Sequence, residues 1–405
     1  MTAKEKVTAI GQQQLLRFED SLEEGQKKAL YEQIESLDFS VLENLSHVGG
    51  EAAKKNITPL KSMELTEINE RKAEFEEVGV KAIQEGKVGA VLLAGGMGTR
   101  LGSDNPKGMY NVGVTRELYI FECLINNIMD VVKKCGEYIH LFVMTSDLNY
   151  TSTTKFFEEK DYFGYPKDYV IFFKQEMAPA CDYEGKVFLE NPGKVAVSPN
   201  GNGGWFLSMM RTGVLDKVKE YGIEWLNVFA VDNVLQRICD PVFVGATIKS
   251  GTTVGAKVVR KATRDEKVGV ICLEDGKPSI VEYYELTDEM MDEADERGER
   301  VYNFGVILNY LFNVQEQEEI VNKSLPYHVV EKKIPYVDEN GEVVKPESPN
   351  GYKFEQLVLD MIHLADSCLP FEVVREREFA PIKNKTGVDS VESARALLEK
   401  NGVTL

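Results

Sequence analysis

The sequence has no apolar run approaching the ~20 residues that cross a bilayer, no block of basic residues, and no C-x-x-C pair. Its opening segment, MTAKEKVTAIGQQQLL, lacks the apolar core of a signal peptide. These absences argue against a secreted or membrane-inserted protein and set the expectation of a cytoplasmic one without a membrane partner. Nucleic acid is also unexpected. Phosphate backbones are held by clustered Lys and Arg, whereas this chain carries 66 acidic against 47 basic residues, a net charge of −19. The six cysteines (Cys123, Cys135, Cys181, Cys239, Cys272, Cys368) are scattered, as reduced structural thiols would be. The four histidines show no H-x-x-x-H or H-E-x-x-H spacing, so no zinc site is expected. No G-x-S-x-G elbow occurs, which excludes the usual serine hydrolase signature.

What is present is 405 residues, 43% hydrophobic and 28% charged, enough for two or three domains and a large core. Residues 1–86 are polar and charged. Leu15, Leu16, Phe18 and Leu22, then Leu30, Ile34 and Leu37, recur at helical spacing, which predicts a helical N-terminal cap ending near Gly86. From Val88 the texture changes. The apolar runs VGAVLLA (88–94), IHLFVMT (139–145), YVIFF (169–173) and WLNVFAV (225–231) alternate with amphipathic segments such as 117–134 and 205–220. Such runs read as buried parallel strands of a doubly wound α/β sheet. Residues 252–284 are strand-rich and predict an antiparallel addition. The turn dipeptides Asn340-Gly341 and Asn350-Gly351 place a hairpin over Ile334–Val344. A helix is expected over Phe354–Ser367 and a strand over 372–376. The expected divisions are 1–86, 87–325 and a small C-terminal lobe, 326–405.

The first apolar run feeds a glycine-rich loop, 95–107, holding Gly95, Gly96, Gly98, Gly102, Arg100 and Lys107. Glycines let backbone N–H groups approach a phosphate without a Cβ in the way. A Walker loop fails, because Lys107 sits between Pro106 and Gly108. The dinucleotide fingerprint is off by one residue, and no strand-terminal acid follows at the required distance. A nucleotidyltransferase loop explains both cations, with Arg100 and Lys107 clamping a triphosphate. The bland alternative is a tight turn whose Arg and Lys point at solvent.

With this loop the sequence resembles the UDP-N-acetylglucosamine pyrophosphorylases. The resemblance runs through LAGGMGTRLGSDNPKGMYNVG, GNGG (201–204), VDN (231–233), VGAKVV (254–259), NFG (303–305), HVVEKKIPYVDENGEVVKP (328–346), PNGYK (349–353) and FAPIKN (379–384). It implies a Rossmann-like, GT-A-like nucleotidyltransferase fold with a mixed sheet flanked by helices. It further implies uridylyl transfer from UTP to a sugar 1-phosphate, with Mg²⁺ or Mn²⁺ as cofactor.

Residue by residue, the resemblance gives Leu93, Ala94, Gly95 and Gly96 to the nucleotide, and Arg100, Lys107, Lys353 and Lys383 to its phosphates. Gln175 and Gly201 match positions that recognise uracil. Asp232, at the end of a buried strand, matches a nucleotide and metal ligand; capping the next segment is its structural alternative. Asn202, Gly255, Glu282 and Asn303 match the sugar side, with Gly255 beside the 2-substituent and Glu282 read as a strand residue. Leu357 and Leu359 stand where animal relatives carry aromatic residues, so glucose 1-phosphate or a broader sugar range is the alternative substrate. A UDP-sugar sensor without turnover is the non-enzymatic alternative.

Overall fold

The computed structural model describes residues 1–47, 55–321 and 325–405; residues 48–54 of the expected cap and 322–324 lie outside the described residues. The chain divides into two units. The larger comprises Lys54–Lys174, Trp205–Ser324 and Leu359–Leu405. The smaller comprises Met1–Ala53, Gln175–Gly204 and Leu325–Val358.

Among the described residues, ten strands of the larger unit form one sheet. They are β1 (Ile57–Pro59), β2 (Val88–Leu93), β3 (Leu141–Thr145), β4 (Val170–Lys174), β5 (Trp225–Ala230), β6 (Val254–Arg260), β7 (Val270–Glu274), β8 (Lys277–Val281), β9 (Phe304–Asn313) and β10 (Cys368–Glu372). Strands β5, β2, β3 and β4 are adjacent and mutually parallel. These are the four apolar runs of the sequence. Every residue of β2 and β3 is buried, as a strand covered on both faces requires. Beyond β5 the sheet turns antiparallel through β9, which pairs with both β6 and β7. Strands β7 and β8 form a hairpin within the expected antiparallel addition, turning at Asp275 and Gly276 with φ of 49° and 82°.

Helix α1 (Lys72–Gln84) crosses helix α2 (Pro241–Ser250) at two glycines. A Cβ on Gly79 would lie 1.8 Å from Pro241 O, and one on Gly245 would lie 1.8 Å from Phe75 O. Helix α2 starts with Asp240 accepting from Val242 N–H and Pro241 in the first turn, and ends at Gly251 in the left-handed region.

The smaller unit has its own core. Val7, Leu15, Leu30, Ile34 and Val41 pack with Ala178, Leu189, Val195, Val337 and Phe354. Its three-stranded sheet places Gly351–Glu355 between His328–Lys332 and Cys181–Asp182.

The expected boundaries at 86 and 325 do not hold. The N-terminal helices share a core with residues 175–199 and 325–358, while α1 belongs to the larger unit. Residues 359–405 are no separate lobe, because β10 extends the main sheet in parallel with β6. Two local expectations also shift. Phe354 lies in a strand, and the helix is confined to Val358–Leu364. The strand placed at 372–376 is Cys368–Glu372, followed by a helical turn, Arg375–Glu378. The long 205–220 helix breaks at Gly213, where φ is 74°. The hairpin over Ile334–Val344 is present as Tyr336–Val337 against Val343–Val344.

Candidate active site

In open α/β sheets ligands bind beyond the carboxyl ends of the parallel strands. At that edge of the larger unit, Leu93 O accepts from Val231 N–H, joining the loop after β2 to the one after β5. The loop after β2 folds back on itself. Gly98 N–H donates to Asn105 O and Lys107 N–H donates to Gly96 O at 3.2 Å. A side chain on Gly96 would meet nothing within 4 Å, so its backbone stands open to approach. Ala94 is held from behind: its N–H donates to Met144 O, and its carbonyl accepts from the buried Asn149 Nδ2 at 2.9 Å.

The fold-back carries Lys107 to Asp232, with Nζ 3.5 Å from Oδ2 and both side chains largely buried. The Asp232 backbone is fixed separately, because its carbonyl accepts from Ile382 N–H at 2.9 Å. Next to it the Asn233 side chain donates to Glu378 O and accepts from Ala380 N–H. Lys383, the residue after Ile382, is thereby set beside Asp232. Its Nζ lies 3.0 Å from Asp389 Oδ2.

Glu282 and Asn303 lie within a few residues of one another, because Val270 pairs with both Val281 and Gly305. Glu282 is not a strand residue as expected: β8 ends at Val281, and a turn follows in which Glu285 N–H donates to Glu282 O. Burial pushes the Glu282 carboxyl above its usual range, Glu285 adds to the rise, and Lys383 opposes it. The opposing pull places Lys383 and Glu282 in one electrostatic neighbourhood. Asn303 is 8% exposed, and its Oδ1 is buried with no hydrogen-bond partner. A buried acceptor left open in this way suits a ligand donor.

The structure therefore gathers Lys107, Asp232, Lys383 and Glu282 around one edge, with Leu93, Ala94 and Gly96 bordering it. Arg100 is exposed on the same loop, and no carboxylate pairs with it among the described residues. Lys385, which the sequence reading missed, lays its Nζ 2.7 Å from where a Gly102 Cβ would sit. Its only sequence signal is its place two residues after Lys383.

At Gly255 a Cβ would lie 2.4 Å from Thr247 Oγ1 and 2.8 Å from a ring carbon of Phe243, so the close packing of β6 on α2 by itself calls for glycine here.

Gln175, Gly201, Asn202 and Lys353 belong to the smaller unit. Gln175 is buried directly after β4. Gly201 has φ +89°, and its absent Cβ would sit 2.2 Å from Gln356 O. Asn202 Oδ1 accepts from Val358 N–H at 3.0 Å, which leaves its NH₂ group to interact elsewhere. Burial holds the Lys353 ammonium below the ordinary lysine range.

No group of three or more metal-ligating side chains exists among the described residues. A lone Asp232 carboxylate still suits Mg²⁺, which takes one or two carboxylates and fills its other positions with substrate phosphates and water.

The family model for UTP–glucose-1-phosphate uridylyltransferase matches residues 39–405. UDP-N-acetylhexosamine pyrophosphorylase-like protein 1 of Mus musculus is 37% identical over 404 residues, covering 94% of this chain and 79% of the relative. UDP-N-acetylglucosamine pyrophosphorylase of Saccharomyces cerevisiae is 34% identical over 383 residues, covering 91% and 80%. The crystal structure of the Trypanosoma brucei UDP-N-acetylglucosamine pyrophosphorylase superposes with a TM-score of 0.84 at 27% identity, covering 97% of this chain and 83% of that one. By the extent of the match and the identity to these relatives, the chain belongs to the UTP–glucose-1-phosphate uridylyltransferase family.

Proposed function

We propose that this protein is a cytoplasmic uridylyltransferase that makes UDP-N-acetylglucosamine and pyrophosphate from UTP and N-acetylglucosamine 1-phosphate. The observation that carries the reading is the convergence of Lys107, Asp232 and Lys383 at the carboxyl edge beside a glycine-rich loop.

A phosphate oxygen of the sugar phosphate attacks the α-phosphorus of UTP, the bond to the bridging oxygen breaks, and pyrophosphate departs. No covalent enzyme intermediate is needed. The protein's work is positioning and charge stabilisation. Arg100 and Lys107 take the leaving phosphates, and Lys383 takes the charge gathered at the attacked phosphorus. These cations are a local correction to a chain whose net charge of −19 repels both substrates. Lys353 adds to them. Gln175 and Gly201 read uracil, while Glu282, Asn303 and the amide of Asn202 take sugar hydroxyls and the N-acetyl group. Asp232 is the residue that would hold Mg²⁺ or Mn²⁺, which when bound neutralises phosphate charge.

The test is pyrophosphate release from UTP and Mg²⁺ with N-acetylglucosamine, N-acetylgalactosamine or glucose 1-phosphate supplied separately. Strong preference for N-acetylglucosamine 1-phosphate is expected. Equal rates with all three would replace this reading with a broad UDP-sugar enzyme. Saturable UTP binding without release would replace it with a sensor.

A further inference from the structure

Beneath the edge that carries Asp232 and Lys383 lies a buried ion cluster that the sugar-nucleotide chemistry does not use. Lys257, in β6, has a side chain 0% exposed. Its Nζ donates to Glu378 Oε2 at 2.6 Å and to Arg237 O at 2.8 Å, and stands 4.0 Å from Asp240 Oδ2. Glu378 Oε2 also accepts from Arg237 N–H at 3.3 Å, and Arg237 Nε lies 3.1 Å from Asp240 Oδ1. Phe243 closes the cluster, its ring centroid 5.4 Å from the ammonium. One buried cation thus holds two segments at once: residues 237–240, which follow Asp232, and Glu378, which precedes Lys383 by five positions.

Between this cluster and the site the two segments are joined by a ladder. Asn233 Nδ2 donates to Glu378 O, Ala380 N–H donates to Asn233 Oδ1, and Ile382 N–H donates to Asp232 O. A ladder of main-chain and amide bonds fixes spacing along its length, but its register is set where it is anchored. The anchor is at Lys257. An apolar pair of similar volume would pack as well and would leave the carbonyl of Arg237 unpaired, so packing alone does not account for a charged group there.

We infer that Lys257, with Glu378, is a positioning residue that fixes Lys383 against Asp232 for uridylyl transfer. The inference rests on the uridylyltransferase reading of Asp232 and Lys383. A charged tether of this kind touches no substrate. It acts by making one arrangement of two catalytic segments the only well-bonded one.

The decisive variant is Lys257→Met combined with Glu378→Leu, which removes both charges together and avoids stranding either one. It is expected to fold but to melt at a lower temperature, because Arg237 O and Arg237 N–H lose their partners, with kcat down about 10- to 100-fold, as misplacing a reacting group by an ångström costs. The KM for UTP is expected to stay close to the wild-type value, because Lys257 touches no substrate. Amide exchange in the peptide spanning 378–383 is expected to quicken. Unchanged kcat and unchanged exchange in a stable double variant would overturn the inference.

Should the double variant fail to fold, Glu378→Gln is compared with Glu378→Ala. The glutamine keeps an oxygen for both the Lys257 and Arg237 contacts, so it should retain about tenfold more kcat than the alanine. Equal kcat in the two would overturn the inference. If wild-type protein releases no pyrophosphate with any sugar phosphate, the enzyme reading fails, and the exchange measurement alone then decides whether Lys257 sets this register.

Discussion

Lys107 Nζ stands 3.5 Å from Asp232 Oδ2, although 125 positions separate them in the chain, and both side chains are mostly shielded from solvent. On the proposed reading this pair would face the phosphates of UTP. Lys107→Ala is expected to lower kcat by about 10²- to 10³-fold, the loss found on removing one group that stabilises developing charge. Thermal unfolding should be nearly unchanged, because the loop is closed by the Gly98–Asn105 and Gly96–Lys107 backbone bonds, which the substitution keeps. An unaltered turnover in folded protein would remove Lys107 from the phosphates.

Asp232→Asn tests the metal assignment separately from the fold. The backbone carbonyl of Asp232, not its side chain, accepts from Ile382 N–H. The variant should therefore fold normally while needing on the order of tenfold or more Mg²⁺ for half-maximal pyrophosphate release, the scale set by weakening a metal's ligand environment. A Mg²⁺ titration of both proteins checks this.

Glu282 gives a pH dependence with a definite sign. Its carboxyl is raised above 4.5 by burial first and by Glu285 second. In the window between the unfolded value and that raised value the folded state binds more protons than the unfolded one, so stability falls as pH rises through it. Above that window the group costs stability in the unliganded protein. Glu282→Gln is expected to unfold at a higher temperature than wild type at pH 7, with the advantage vanishing below pH 4.5. The same variant should raise the KM for the sugar phosphate by about tenfold, the cost of losing a charged hydrogen bond.

Lys353 has the opposite disposition. Burial lowers its ammonium from 10.5, so it loses its proton at a lower pH than an ordinary lysine. UTP affinity is expected to weaken in the wild type at alkaline pH still below 10.5, and to stay flatter there in Lys353→Arg, whose guanidinium remains charged. Calorimetric titration with UTP across that range distinguishes the two.

Gly79→Ala separates helix propensity from packing. In an isolated helix the change would gain about 1 kcal/mol. Here the new Cβ would sit 1.8 Å from Pro241 O, a backbone atom that cannot move without α2. Overpacking of this kind costs about 1–3 kcal/mol or more, so net destabilisation is expected. A denaturant midpoint above that of wild type would show that the two helices readily separate.

Much of this was open to a reader of the chain. The runs at 88–94, 139–145, 169–173 and 225–231 are strands β2, β3, β4 and β5, because a strand buried on both faces has to be apolar along its whole length. The Asp275–Gly276 and Asn340–Gly341 turns are written in residues that tolerate positive φ. The loop holding Arg100 and Lys107 was likewise visible as composition and spacing. Glu282 was misread because Val281 and Tyr283 prolong the alternating pattern past the point where pairing stops. At Gly255 a glycine kept for ligand access and one kept for close helix packing look the same in one dimension, and only the structure shows the packing against Thr247 and Phe243.

The sequence by itself determined the apolar strands, the turn positions and the chemistry of the loops, since each is specified by neighbours within a few residues. Only the tertiary structure decided that residues 1–47 share a core with 325–358, that β10 joins β6, and that Lys107 pairs with Asp232. Those pairings join segments a hundred or more positions apart. They are fixed by which apolar faces bury together, and no local periodicity records that choice.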